Sequence, residues 1–88
     1  MSHRTRQDVT VQILEAAANG ETKTKIMYKT FLSHDKLQKY LDFLIEKGLI
    51  GHDGMHNFKT TERGRKLIKL NNQMKTLSQS TRYQDVMT

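Results

Sequence analysis

Lys23, Lys25 and Lys29 stand within a short stretch that also holds the hydroxyls of Thr22 and Thr24. Ammonium and hydroxyl donors grouped in this way suit phosphate oxygens, and unsatisfied amides at a helix start beside them would add to the attraction. A second group, Ser33, His34, Lys36, Gln38 and Lys39, follows at once. On a helix, Gln38 can form two hydrogen bonds with an adenine edge, and Lys36 and Lys39 can bond guanine or phosphate. His34, at the helix start, can meet a phosphate. Asp35 and Asp42 on the same face oppose this reading, because phosphate repels a carboxylate. A third group holds His52, His56 and Lys59, suited to backbone or minor-groove contact. A fourth, Arg63, Arg65, Lys66 and Lys69, crowds the start of the last helix, where cations oppose the macrodipole and so do nothing for helix stability. Arg4 and Arg6 add a candidate flexible arm. The plainer alternative for each group is a solvated face that keeps the chain soluble.

The overall balance favours the polyanion reading. Fifteen Lys and Arg against nine Asp and Glu give a net charge of +6 on 88 residues. Neutralising phosphates with such an excess releases condensed counterions. A length of 88 residues and an apolar fraction of 35% fit one small domain with a thin stability margin, and some apolar surface is expected against a second copy. No apolar run is long enough to span a membrane, and no signal segment follows the basic N-terminus, so the expected location is cytoplasmic and nucleoid-associated.

Catalysis is not expected. Cysteine is absent, which removes disulfides, thiolate metal sites and cysteine nucleophiles. Only His52 and His56 lie close together, and no further ligands accompany them, so neither a metal nor any other cofactor is expected. There is no phosphate-cradling glycine loop, no supported Ser–His–Asp ordering, and little volume for a dry cleft or a small-molecule substrate.

The elements that must position these residues follow from capping and periodicity. Thr5 with Asp8 three residues on predicts a capped helix from Arg6 to Ala18, with Val9, Ile13, Leu14 and Ala17 on its inner face and Asn19-Gly20 as its stop. A short helix is predicted from Lys25 to Thr30, capped by Thr24. Ser33 then caps a third helix, His34 to Lys47, whose apolar stripe is Leu37, Tyr40, Leu41, Leu44 and Ile45. The tight connection between these two is that of a helix-turn-helix. Asp53-Gly54 between extended runs predicts a two-residue hairpin turn that sets Leu49 opposite Phe58. A last helix starting after Thr60 or Thr61 and running to about Ser78 carries a seam of Leu67, Leu70, Met74 and Leu77, and at ~26 Å it exceeds what so small a core needs. The seam is expected to pair with its copy in a second chain.

The fold class expected is therefore α+β, mostly α: a winged helix-turn-helix of three helices and a two-stranded wing, with a longer C-terminal helix forming a dimer coiled coil. Residues 1–60 would be the DNA-binding domain, 61–80 the dimerisation helix and 81–88 a frayed polar tail.

The series Lys23-Thr24-Lys25-Ile26-Met27-Tyr28, Leu32-Ser33, Leu37-Gln38-Lys39-Tyr40-Leu41, Leu44, Gly48-Leu49-Ile50 and Thr60-Thr61-Glu62-Arg63-Gly64 resembles the archaeal winged-helix DNA-binding proteins of the 10a type. The resemblance spans roughly Arg4 to Leu77. It implies a winged helix whose last helix forms an antiparallel coiled coil with its twin, in a chromatin-type protein or transcriptional regulator. This chain departs in its seam, which stops near Leu77 where relatives carry a longer coiled coil. The expected partner is double-stranded DNA. The rival, from a different class, is a winged-helix protein–protein interaction module in a transcription or replication assembly. A small-molecule-sensing repressor would need polar anchors at the dimer seam, and the sequence offers none.

Overall fold

The computed structural model describes residues 4–87, with side chains described through Lys75. The order is α1 (Arg6–Ala16), β1 (Glu21–Thr22), α2 (Lys23–Thr30), α3 (His34–Glu46), β2 (Ile50–His52), β3 (Asn57–Thr60) and α4 (Glu62–Met87).

The cap of α1 forms as its sequence requires. Thr5 Oγ1 accepts from the Asp8 amide and the Asp8 carboxylate accepts from the Thr5 amide, both at 3.0 Å. These bonds hold the Asp8 carboxyl below the ordinary carboxylate range, the Thr5 backbone amide contributing most. The helix stops at Ala16 rather than Ala18, because the rest of the fold takes up its terminal carbonyls. Thr60 donates from its amide to Ala17 O at 3.0 Å and from Oγ1 to Leu14 O at 2.6 Å. Val9, Ile13, Leu14 and Ala17 are buried as predicted. Val11 is buried too, one turn from Gln7, whose amide donates to Asn71 of α4 at 2.9 Å.

The two-stranded wing must be corrected to a three-stranded antiparallel sheet in the order β1-β3-β2. β1 pairs Glu21 with Phe58 and Thr22 with Asn57. Two residues are too few to show alternation, so nothing in the sequence pattern announced the strand. Its pairing also moves the cap of α2. Thr22, held extended, accepts from the Lys25 amide at 3.3 Å, and the helix starts at Lys23 rather than after Thr24.

α2 ends on Phe31, whose φ of 57° is left-handed and whose side chain is 86% exposed. Ser33 then caps α3, accepting from the Lys36 amide at 3.2 Å. Leu37, Leu41 and Leu44 are fully buried and Tyr40 half-buried, as the stripe requires. Ile45 is not part of it. At 100° per residue it sits about 80° around from Leu37, and it is 41% exposed.

The hairpin register also differs from the expected one. The pairs are Ile50↔Thr60, Gly51↔Lys59 and His52↔Phe58, and residues 53–56 make the connection. A type I′ turn needs positive φ at both central residues, and of Asp53 and Gly54 only Gly54 has it, at 84°. The Asp53 carboxylate instead gathers the amides of Met55 at 2.9 Å and Asn57 at 3.2 Å into a longer loop. Ile50 therefore takes the core position assigned to Leu49, which is half-buried, while Phe58 is buried as expected.

α4 is longer than the sequence pattern suggested, running to Met87 instead of Ser78, so the expected frayed tail is helical. Its first turns belong to the domain, with Leu67 and Ile68 packed against the core. Twenty-six residues extend ~39 Å. The radius of gyration is 15.0 Å, against about 12 Å for a compact chain of this length.

Candidate nucleic-acid interface

The start of α2 and the outer face of α3 are joined by side chains. Lys23 Nζ lies 2.9 Å from His34 Nε2 and also donates to Gln38 Oε1. With the ammonium as donor, His34 Nε2 stands on the accepting side of this contact. Gln38 Nε2 donates in turn to Asp42 Oδ1 at 2.8 Å. Asp42 thus orients an amide, which accounts for a carboxylate on this face. Gln38 keeps one acceptor lone pair and one N–H, the combination an adenine edge needs. Lys36 and Lys39 are exposed farther round α3, about 160° and 100° from Gln38, and pair with no acid among the described residues.

The lysines of α2 do not form the single cluster that the sequence suggested. Lys23 faces α3, whereas Lys25 and Lys29 lie on the other flank, where Glu21 Oε1 and Oε2 hold them at 3.8 and 3.1 Å. The Glu21 carboxyl is kept below its ordinary range, chiefly by the Lys29 hydrogen bond. Sequence reasoning passed over Glu21. Its spacing to Lys25 is that of a helical ion pair, yet it lies in β1, so helix logic alone would not have found it. Thr24 is exposed. The Thr22 and Ser33 oxygens accept cap amides, which leaves each O–H to donate elsewhere.

On the wing, His52, His56 and Lys59 are exposed. The His52 ring lies against Phe58, centroids 4.5 Å apart. Asp53 does not project as a bare charge. Its bonds from Met55 and Asn57 amides hold its carboxyl below the ordinary range, Met55 contributing most.

Two basic residues serve the fold instead. Arg65 Nη2 donates to Ala18 O at 3.0 Å, so it braces the end of α1, and this explains a cation at an unfavourable helix terminus. Arg4 Nη1 donates to Gln12 Oε1 at 2.8 Å and to the Thr30 carbonyl, so it is tied down and not an arm. It lines an open groove of about 690 Å³ with Gln12, Glu15, Lys29 and Phe31. Arg63, Lys66 and Lys69 remain exposed at the start of α4.

The predicted seam divides. Leu67 packs on the core, Leu70 and Met74 are 53% and 56% exposed, and Leu77 lies outside the residues whose side chains are described. Among the described residues no helix is long and apolar enough to cross a membrane, and no group of three or more His, Cys, Asp or Glu could hold a metal ion.

Comparison with known proteins places this architecture. The structure superposes on Sso10a-2, a DNA-binding protein from Sulfolobus solfataricus, with a TM-score of 0.69 over 97% of this chain and 98% of that one, at 18% identity. The two share the fold, in line with the resemblance carried by the sequence. An uncharacterized protein from Methanocaldococcus jannaschii is 40% identical over 65 residues, which cover 73% of this chain. The match spans just under two thirds of that relative's length, 66%. Residues 3–79 match the model of the winged helix-turn-helix family, and the chain belongs to that family.

Proposed function

We propose that this chain binds double-stranded DNA through the outer face of α3 and the wing, as a transcriptional regulator or chromatin-type protein. The observation that carries the reading is the outer side of α3: Lys36 and Lys39 exposed there, with a Gln38 amide that Lys23 and Asp42 hold in place. Phosphate contacts from Lys23, Lys36, Lys39, Lys59 and Arg63 set the register, and α3 supplies the base reading. The fold shared with a protein described as DNA-binding supports the same reading. Titration of a labelled duplex at several salt concentrations tests it. With about six phosphates engaged by each chain, log affinity falls against log salt with a slope of roughly −5 per bound chain. A slope near zero removes the reading. It would favour the alternative of a protein-contact module, to which the half-exposed Phe43 and Ile45 on α3 point.

The working form is a homodimer joined through residues 61–80, which leaves residues 1–60, together with Arg63 at the start of α4, to meet DNA. Leu70 and Met74, one turn apart and half-exposed on a helix that outruns its core, support this. Two-fold pairing would present two α3 helices to successive turns of a duplex. Sedimentation is expected to show a two-chain species that the double substitution Leu70→Glu, Met74→Glu converts to one chain with helix content retained. A wild-type chain that sediments alone contradicts the dimer.

A further inference from the structure

We propose that Met55, at the tip of the wing, is a wedge that enters the minor groove and opens a base step, so that the protein bends the duplex it holds. This rests on the DNA-binding reading above and adds a contact that the basic residues do not supply.

Met55 is 74% exposed in the loop between β2 and β3. An unbranched apolar side chain this exposed in a hairpin loop contributes nothing to the core, and a polar residue would serve the turn equally well. The loop that carries it is built with care. Asp53 accepts the Met55 amide at 2.9 Å and the Asn57 amide at 3.2 Å. The Asp53 amide donates to Asn57 O at 3.1 Å, and Gly54 supplies the positive φ. The acid that phosphate would repel is thereby turned onto the loop's own backbone, and the apolar side chain is what the tip presents.

The surroundings select a polyanion as the occupant. His52, His56 and Lys59 flank the tip as exposed donors. A methionine between such donors has the form of the apolar wedges that partly unstack a step while neighbouring cations hold the strands. Strands of three and four residues carry the loop ~10–13 Å out from the sheet's inner end. The flexible thioether adapts to whichever step opens. Pyrimidine–purine steps open most easily, so TA or CA steps under the wing are preferred without any hydrogen bond to a base.

The test uses the full chain and a duplex with 2-aminopurine at a central TA step and a fluorophore pair at its ends. Wild-type protein is expected to raise the 2-aminopurine emission and shorten the end-to-end distance. Met55→Ala is expected to abolish both changes, weaken binding about tenfold and leave the salt slope unaltered, whereas Met55→Leu retains the bend. The proposal is overturned if Met55→Ala bends the duplex as wild type does. It is overturned also if wild type binds with full salt dependence but leaves the duplex straight, and that result leaves the DNA-binding reading intact. Absence of any salt-dependent binding would remove both.

Discussion

Exchanging Lys23, Lys36, Lys39 and Lys59 for glutamate together is expected to lower affinity for a random-sequence duplex by three to four decades at 0.1 M salt. Each phosphate contact contributes ~0.9 to the slope of log affinity against log salt, and so ~0.9 decade between 1 M and 0.1 M. Four lost contacts account for roughly 3.6 decades per bound chain, and the slope per chain flattens from about −5 to about −2. Glutamate adds repulsion to this loss. The fold should tolerate the change, since Lys36, Lys39 and Lys59 are exposed and form no ion pair among the described residues. Surface substitutions of that kind move stability by no more than about 0.5 kcal/mol each. Lys23 is the exception, because its bonds to His34 and Gln38 are lost with it. Thermal unfolding run in parallel separates a binding defect from a folding one. The substitution Glu21→Gln should leave the slope unaltered, because the Lys25 and Lys29 that it frees lie on the flank away from α3. If the fourfold variant kept its affinity, the face described on α3 would not be the one that meets DNA.

Gly64→Ala is expected to destabilise the domain by about 3 kcal/mol or more, against a total of about 4–13 kcal/mol for a chain this size. Helix propensity alone points the other way, since alanine within a helix is favoured over glycine by up to ~1 kcal/mol. Packing decides. A Cβ at position 64 would lie 2.2 Å from Leu49 O and 2.6 Å from Thr60 Cγ2. The first is backbone, already fixed by the Thr61 amide donating to Leu49 O at 3.1 Å. Thr61 is itself anchored, with Oγ1 donating to Gly48 O at 2.7 Å and accepting from the Gly64 amide at 3.2 Å. The added methyl has nowhere to move, and the first turn of α4 must separate from the end of α3 and the sheet. A midpoint lower by about 12–24 °C is the expected readout. A midpoint that rises would show that α4 is not seated on the Leu49 carbonyl.

Much of this arrangement was legible from local patterns. Thr5 with Asp8, and Ser33 before Lys36, state their helix starts in a few residues, and Leu37, Leu41 and Leu44 repeat at the helical period. Local rules failed where distant pairing overrode them. Thr24 read as the cap of α2, but β3 draws Glu21 and Thr22 into the sheet and Thr22 takes that role. Asp53-Gly54 looked like a two-residue turn until the Asp53 carboxylate enclosed Met55 and Asn57. The types of the interface residues could be read from the sequence, but their grouping could not. Nothing in the spacing of Lys23, Lys25 and Lys29 shows that Glu21 takes two of them and Gln38 the other. Arg4 and Arg65 read as free cations because the carbonyls they serve, at Thr30 and Ala18, are remote in the chain.

A map of amide chemical shifts, recorded as the protein is titrated with a short duplex, tests the common face most directly. The expected result is a contiguous set of perturbed residues over 22–24, 33–42 and 52–59, with Gln12 and Glu15 on the outer side of α1 unmoved. Perturbation spread evenly over all the helices, or confined to the outer side of α1 while α3 stays silent, would contradict it.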